Sequence, residues 1–396
     1  MSPRGGGGTH WQDMTDGRKK GPLAGLRVVE MAAIGPVPLA GLLLADMGAT
    51  VLRIGRLHGP DSFLPLDADF DIGLHGRHTL RVDLKAREGA AVVRRIAAAA
   101  DILLEGFRPG VMERLELGPD ELCAANPRLI YGRMTGFGQD GPLAQQAGHD
   151  LNYLSITGTL GAIGPAGGKP MPPLNLVGDY GGGTMFLVAG ILAALFERAS
   201  SGQGQVVDAA MVDGTGTLAA SIFGLHGAGL WQDRRASNML DGGTPFYDTY
   251  ETKDGGYVAV ACLEPQFFAV FCDLLPLPEA FAGRQYDRTH WPQMREAIAA
   301  RFLARTRDEW DTLFAGSDAC VTPVLSFGEA PDHPHNKARA AHVPHGRMTR
   351  PAPAPRFSRT PAQASAGPEG AMRVLAQFGI PEAEAARLAT SGILSE

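Results

Sequence analysis

The stretch Leu26-Arg-Val-Val-Glu-Met31, followed by Ala32-Ala-Ile-Gly-Pro-Val-Pro38, decides the fold of this 396-residue chain. The first six residues form a short apolar run with β-branched valines, which predicts a buried strand. A helix over residues 38–47 comes next, Gly48 suits the position after its end, and residues 50–54 predict a second strand. Strand, helix and strand at this spacing indicate a βαβ unit with a short crossover.

The same alternation continues along the first half of the chain. Strands are predicted over residues 79–84, 102–107 and 129–134, and a helix over residues 87–100. This order indicates an α/β fold, with a large Rossmann-like domain built on a parallel sheet. The loop after the first strand lacks the G-x-G-x-x-G pattern, which argues against a nicotinamide or flavin enzyme, and the chain has no P-loop.

The pattern changes from about residue 225. Two strand-like runs, residues 247–252 and 257–262, flank Lys253-Asp-Gly-Gly256 and predict a β-hairpin. A capping box, Thr306-Arg-Asp-Glu309, begins the last of three predicted helices, which cover residues 266–275, 294–303 and 310–314. These elements indicate a smaller α+β domain.

The remaining segments complete the predicted organisation. Residues 319–327 predict a strand that returns towards the first domain, residues 351–361 are proline-rich and expected to lie extended on the surface, and residues 369–388 predict a closing helical pair. The expected divisions are a disordered extension without a signal core (1–20), the first part of the large domain (21–224), the small domain (225–318) and a return segment with the last part of the large domain (319–396).

Composition limits the classes of function. Hydrophobic residues make up 44% and charged residues 20%, as expected of a globular fold, and the net charge of −6 gives no reason to expect a nucleic-acid partner. The longest apolar run, residues 185–196, is shorter than the roughly 20 residues of a membrane span, so we expect a buried helix and no membrane partner. A reducing compartment, the cytoplasm, is expected because no disulfide framework or zinc motif is formed by Cys123, Cys262, Cys272 and Cys320.

Two potential proton carriers, His149 and Asp179, each stand at the start of an apolar, helix-like run. An imidazole and a carboxylate that face one carbon could remove a proton from one side and return it on the other, which is racemase chemistry. The helix start would also supply N–H donors for an enolate oxygen, and the glycines at 181–183 would let a ligand approach the backbone. Spacing alone favours plainer roles, with Asp179 as an N-cap and His149 as a structural residue before an N-cap at Asp150.

Several motifs together resemble one known family. They are Gly21-Pro-Leu-Ala-Gly-Leu-Arg-Val-Val-Glu30, Leu44-Ala-Asp-Met-Gly-Ala49, Glu105-Gly-Phe-Arg-Pro-Gly110, Gly148-His-Asp-Leu-Asn-Tyr153, Gly202-Gln-Gly-Gln-Val-Val-Asp208, Asn238-Met-Leu-Asp-Gly-Gly243 and Asp318-Ala-Cys-Val-Thr-Pro-Val324. From about residue 21 to about residue 360 the chain resembles the α-methylacyl-CoA racemases of the family III CoA-transferase superfamily. The resemblance implies the family III CoA-transferase fold, an interlocked homodimer with the active site between two chains, coenzyme A as part of the substrate, and no metal or redox cofactor.

The resemblance also implies roles for particular residues. It makes His149 and Asp179 catalytic, and it places Glu264 of the partner chain beside His149 as an orienting carboxylate, where the residues alone would make Glu264 the start of a helix with Pro265 at its first position. The implied coenzyme A contacts are Arg56, Val82, Asp83, Leu84, Lys85, Gly106, Phe107, Arg108, Arg114, Gly148, His149, Asp150, Leu151, Asn152 and Tyr153. The chain departs from the family at His75-Gly-Arg-His78, where weaker or pH-dependent phosphate contacts are expected.

Three functions follow from these residues. The first is a racemase that interconverts (R)- and (S)-2-methylacyl-CoA through an enolate; the second is a CoA-transferase with Asp179 as nucleophile; the third is a CoA-binding protein without turnover. Asp179 fits the first two, whereas His149 and Glu264 favour the racemase. The acyl chain stays open between branched fatty acyl, sterol side-chain and arylpropionyl groups, for which Met185, Met211 and Met239 are potential lining residues.

Overall fold

The computed structural model describes residues 21–59, 66–67, 69–281, 283–367 and 369–396, so the extension predicted over residues 1–20 lies outside the described residues. The strands are β1 (Arg27–Met31), β2 (Thr50–Arg56), β3 (Arg77–Val82), β4 (Ile102–Glu105), β5 (Ile130–Thr135), β6 (Val206–Ala210), β7 (Tyr247–Glu251), β8 (Tyr257–Ala261), β9 (Val321–Pro323), β10 (His342–His345), β11 (Met348–Pro351), β12 (Glu369–Gly370) and β13 (Leu394–Ser395).

The helices alternate with the strands in the first half of the chain. They are α1 (Pro36–Asp46), α2 (Arg87–Ala98), α3 (Val111–Arg114), α4 (Pro119–Ala125), α5 (Asp150–Ile156), α6 (Thr159–Ala162), α7 (Met185–Ser201), α8 (Met211–Leu218), α9 (Ala220–Gly227), α10 (Pro265–Leu274), α11 (Trp291–Phe302), α12 (Arg307–Phe314), α13 (Pro334–Ala338) and α14 (Glu382–Thr390). A π-helical segment, Leu176–Thr184, leads directly into α7.

The large sheet confirms the predicted Rossmann-like α/β architecture. Its strand order is β12-β3-β2-β1-β4-β5-β6, all parallel, and β13 adds an antiparallel partner to β3. The order of the first six strands is the 3-2-1-4-5-6 order of doubly wound folds, in which the strand sequence reverses between β1 and β4. Ligands of such sheets bind beyond the carboxyl ends of the strands at this point of reversal.

Both faces of the large sheet are covered, which explains why its strands are apolar runs and not alternating ones. Val29 of β1 packs in one core with α2 and α14, and its neighbour Val28 packs in a second core with α1 and α7. Successive strand residues point to opposite faces, so one short run supplies both cores.

The apolar helix at residues 185–196 is not fully buried, so that prediction is wrong in part. Within the described residues, Leu176–Ser201 is the helix that is long and apolar enough to span a membrane by length and composition. Leu187 and Ile191 pack against the large sheet, as in the core helix of a globular protein, whereas Phe196 is 82% exposed. The helix therefore has one packed face and one uncovered face.

The second half of the chain builds a three-stranded antiparallel sheet, β7-β8-β9, with α10, α11 and α12 packed on it. The predicted hairpin is confirmed, and so is the capping box, in which the Thr306 N–H donates to Glu309 Oε2 at 2.8 Å. An aromatic core that includes Phe271, Phe302 and Trp310 holds these elements together. The domain boundaries drawn from the sequence stay a prediction.

The segment after this core differs from the prediction in two places. The strand expected over residues 319–327 is only Val321–Pro323, and it pairs with β8 in the small sheet because Val321 packs into the small core. The helical pair expected over residues 369–388 is wrong in its first half, and its second half is confirmed as α14. Its first part forms β12 and short 3-10 turns, and Gly379, with φ of +77°, ends them before α14.

Candidate active site

His149 is the N-cap of α5, with an extended backbone at φ −132° and ψ 174°. Its N–H donates to Asn152 Oδ1 at 3.0 Å, which closes the first turn of the helix. The alternative that made Asp150 the N-cap is therefore wrong. The His149 side chain is exposed, so its imidazole is accessible at the start of the helix.

Asp179 lies inside the π-helical segment Leu176–Thr184, and the N-cap there is Asn175, so an N-cap role for Asp179 is also wrong. Asn175 Nδ2 donates to Asp179 Oδ2 at 3.3 Å. The loop after β1 passes against the same carboxylate, because a Cβ on Gly35 would lie 3.3 Å from Asp179 Oδ2. Asp179 therefore stands beside the loop at the reversal point of the large sheet.

Two of the glycines that follow Asp179 serve packing. A Cβ on Gly182 would overlap Thr215 of α8, and a Cβ on Gly183 would lie 2.9 Å from Met211 Cγ and 3.2 Å from Pro36 Cβ. These positions admit only glycine because α8 and the start of α1 come so close. The glycines thus hold the π-helical segment against both helices.

Asp150 joins the two proton carriers. Its Oδ1 accepts a hydrogen bond from the Asp179 N–H at 2.7 Å, and Asp150 itself is only 8% exposed. Gly178 leaves room for this contact, since a Cβ there would overlap the Asp150 carboxylate. The Asp179 N–H is therefore occupied. In the first turn of α5 the Asn152 N–H donates to the His149 carbonyl oxygen at 2.8 Å, whereas the N–H groups before it have no partner within the helix.

The surroundings of Asp179 make it a stronger base than an ordinary aspartate. Burial raises the pKa of its carboxyl, the Asn175 donor opposes that rise, and the negative charge of Asp150 adds to it. His149 lowers the same pKa through its own charge, which places the imidazole within electrostatic reach of the carboxylate. A base strengthened in this way is what proton removal from a thioester requires.

Tyr153 fixes the residue in front of His149. Its hydroxyl donates to the carbonyl oxygen of Gly148, and its ring meets that of Phe137 edge-on with 5.0 Å between centroids. Burial, together with the charges of Asp179 and Asp150, raises the pKa of Tyr153 to about 12, so the hydroxyl stays a donor near neutrality. The sequence listed Tyr153 only as a coenzyme A contact and missed this role.

The predicted coenzyme A residues divide into exposed and buried groups. The turn after β4 packs on the loop after β1, since a Cβ on Gly106 would lie 3.1 Å from Ala33 Cβ. Val82 is buried and pairs with Leu394 of β13, and the Asp83 N–H donates to Ile393. Leu84 and Phe107 are half-buried, whereas exposed side chains belong to Arg56, Lys85, Arg108, Arg114, Leu151 and Asn152. The exposed cations follow the carboxyl ends of β2, β3 and β4.

The segment His75-Gly-Arg-His78, where weaker phosphate contacts were expected, places its three charged or polar side chains inside the large domain. His75, Arg77 and His78 are all buried. Arg77 Nε lies 2.9 Å from Glu30 Oε2, its Nη1 donates to His75 O at 2.7 Å, and its Nη2 donates to Pro38 O. The Arg77 guanidinium therefore neutralises a buried carboxylate under α1, and the weaker or pH-dependent phosphate contacts expected at this segment stay a prediction.

Glu264 is the N-cap residue of α10, with Pro265 in the first turn, as the plainer alternative predicted. Its side chain is exposed, and it lies near Cys320, since burial and then the Glu264 charge raise the pKa of that thiol. Both Glu264 and His149 lie in the described part of one chain, and no hydrogen bond or ion pair joins them there. A contact with His149 of a partner stays a prediction.

A cavity of about 790 Å³ opens at the far end of α5. The turn after α5, the helix α9 and residues 231–234, 240 and 241 line it, with apolar contributions from Ile163, Ile222, Phe223, Trp231 and Leu240. Of the suggested methionines, Met211 is buried in the large core, and Met185 and Met239 are about half exposed at other places. None of these methionines lines the cavity.

Comparison with known proteins identifies the family. Residues 23–371 match CoA-transferase family III. The chain belongs to this family. Among its relatives, alpha-methylacyl-CoA racemase of Mus musculus is 45% identical to this chain, and the aligned region covers 94% of this chain and 97% of the relative. The racemase of the same name from Homo sapiens is 44% identical, with 86% and 87% covered.

A solved structure shows the same family III fold. The crystal structure of a CAIB/BAIF family protein from Brucella suis matches with a TM-score of 0.77 and 26% identity, over 94% of this chain and 100% of that one. The resemblance read from the motifs and the fold class expected from it are both confirmed.

Proposed function

We propose that this protein is an α-methylacyl-CoA racemase that interconverts (R)- and (S)-2-methylacyl-CoA thioesters. The observation that carries the proposal is the hydrogen bond from the Asp179 N–H to Asp150, the residue after His149, which holds the π-helical segment of Asp179 against the start of α5. The charge of His149 acts on the Asp179 carboxylate across this contact. Relatives that bear the racemase name match over most of the chain, which supports isomerisation over CoA transfer.

The reaction is a 1,1-proton transfer at C2 of the thioester. Neutral His149 removes the C2 proton of one epimer, the electron pair of the C–H bond enters the thioester as an enolate, and protonated Asp179 returns a proton to the opposite face. For the other epimer the ionised Asp179 is the base and the imidazolium of His149 is the acid. The N–H groups in the first turn of α5 stabilise the enolate oxygen, a contribution of several kcal/mol in a site that excludes water.

The substrate supplies the coenzyme A, and the reaction needs no metal or redox cofactor. Exposed Arg56, Lys85, Arg108 and Arg114 follow the strand ends and are the cations for its phosphates. The acyl chain occupies the cavity beyond α5. That helix has seven residues, so the cavity begins roughly 10 Å from His149, a span that suits a long branched chain or a ring system.

The active protein is an interlocked homodimer in which Glu264 of the partner orients His149. Large apolar side chains support association, because Phe196 is 82% and Phe327 is 89% exposed in the single chain. A mixture of Glu264→Ala chains with His149→Ala chains tests the shared site. If Glu264 acts across the interface, each mixed dimer regains one of its two sites, about half of wild-type activity. No recovery in proven mixed dimers contradicts this arrangement.

Incubation of a chiral 2-methylacyl-CoA in D2O tests the reaction itself. We expect deuterium to enter C2 and both epimers to appear without any second acid. Transfer of coenzyme A to an added free acid, with no exchange at C2, would show a CoA-transferase with Asp179 as nucleophile. Binding without either reaction would show a CoA-binding protein. The cytoplasmic location stays a prediction.

A further inference from the structure

The turn that follows β4 is held from beneath by Glu105, a residue without an assigned role. Glu105 is 1% exposed, and its Oε2 accepts a hydrogen bond from the Phe107 N–H at 2.7 Å. Its other oxygen, Oε1, accepts from Arg133 Nε at 3.0 Å. Each carboxylate oxygen therefore has a donor, one in the turn and one in the next strand.

Arg133 extends this contact to α3. Its Nη2 lies 2.9 Å from Glu113 Oε1, and Glu113 precedes Arg114 in the same helix. Arg133 is 8% exposed and stands opposite Glu105 in the β4–β5 register. The chain of contacts from Phe107 through Glu105 and Arg133 to Glu113 joins the turn that carries Arg108 to the helix that carries Arg114.

We propose that Glu105 is a positioning residue for coenzyme A: it sets the turn of residues 106–108 and ties it to α3, so that Arg108 and Arg114 meet the substrate together. The inference rests on the proposed function, which makes this turn part of the coenzyme A site. Glu105 is too deep to touch the substrate, so it affects binding and not the proton-transfer step.

Ionised Glu105 is the form that holds both contacts. The charged groups that face it are Arg133 and Glu113, and the Tyr131 ring lies under Arg133 with 5.9 Å between guanidinium carbon and ring centroid. Burial raises the pKa of Glu105 to about 7, against the Phe107 N–H and Arg133, which lower it. Below this pH the carboxyl is protonated, Arg133 is left with Glu113 as its ion-pair partner, and we expect KM for acyl-CoA to rise.

The variant Glu105→Gln tests the inference by two readouts, KM and kcat for C2 exchange and the Kd for coenzyme A by calorimetry. We expect KM and Kd to rise about tenfold, the size of one lost charge-assisted hydrogen bond, with kcat within about twofold. The rise of KM at low pH should disappear in the variant. The matched control is Glu116→Gln, because Glu116 forms only an exposed ion pair with Arg94.

Two outcomes overturn the inference: unchanged KM and Kd in Glu105→Gln, or a loss in kcat alone. If Glu105→Gln unfolds below the assay temperature, Glu105→Asp is tested instead. Its side chain keeps the charge but is one methylene shorter, so the carboxylate no longer reaches the Phe107 N–H as well. Weaker coenzyme A binding by that variant supports the inference, and wild-type binding overturns it. If the wild-type protein binds coenzyme A but does not exchange the C2 proton, the proposed racemase activity is refuted. The role of Glu105 is still tested in that case, because the calorimetric comparison of wild type and variant measures coenzyme A binding alone.

Discussion

His149 and Asp179 serve the same carbon in the proposed reaction, yet their surroundings differ. Asp179 is enclosed by its own chain, with Gly35, Asn175 and Asp150 around the residue. His149 is exposed at the start of α5, and in the proposed dimer the group that orients it comes from a second chain. In that proposal one face of the site is complete within the monomer, and the other is completed by association.

The largest effect should come from removing one face at a time. We expect Asp179→Ala to slow C2 exchange of one epimer while the other still exchanges through His149, and His149→Ala to show the reverse. Each loss should be about 10²- to 10⁴-fold, the contribution of a general acid–base group. NMR of each epimer in D2O measures it, with His335→Ala as the control because that side chain is exposed at a distant helix. Equal losses for both epimers in both variants would remove the assignment of separate faces.

A smaller effect should come from changing Asp150, whose carboxylate accepts the hydrogen bond from the Asp179 N–H. Asp150→Asn keeps an oxygen acceptor for the Asp179 N–H but removes the charge that helps to raise the pKa of Asp179. The pKa of Asp179 should fall, so the acidic limb of kcat for the epimer that Asp179 deprotonates should move to lower pH. The limb for the other epimer should move less. Identical pH profiles for wild type and variant would argue against this coupling.

Asp150→Ala extends the same comparison to stability. It removes the acceptor as well as the charge and leaves the partly buried Asp179 N–H without its partner, which costs about 1–3 kcal/mol of unfolding free energy. Urea denaturation should therefore separate Asp150→Ala from Asp150→Asn. Equal stability of the two variants would mean that the hydrogen bond contributes little.

The smallest effect should come from the acyl cavity, which neither proton carrier lines. Phe223→Trp adds bulk there, and we expect KM to rise about threefold to tenfold for long acyl chains and to stay constant for short ones, as expected for moderate overpacking. Sedimentation of the same variant checks the oligomeric state. A loss of the dimer without a chain-length effect would show that a second copy, and not the substrate, occupies the cavity.

The sheet was readable from the sequence because periodicity is local. The two apolar strands and the helix between them lie within about thirty residues, so their pattern alone predicts the βαβ unit. The hairpin around Lys253 is likewise predicted by the residues of its own turn. The charged contacts were not readable, since they join distant strands. The pairing of Arg77 with Glu30 was missed, although Glu30 in the middle of a buried strand was a signal that a buried cation is needed.

The sequence predicted which residues form the site better than it predicted how they are arranged. Family motifs identified His149 and Asp179, but the π-helical turn around Asp179 depends on α8 and α1, which pack against Gly182 and Gly183. Glu105 was missed as well, because its partner Arg133 lies in the next strand. The acid directly before the Gly-Phe-Arg turn was the available signal.

A crystal structure with a bound 2-methylacyl-CoA tests the account most directly. We expect one imidazole nitrogen of His149 and one carboxylate oxygen of Asp179 to lie within about 3.5 Å of C2, on opposite faces of the plane that the enolate will adopt. Both groups on one face, or only one of them within reach of C2, would contradict the proton transfer described above.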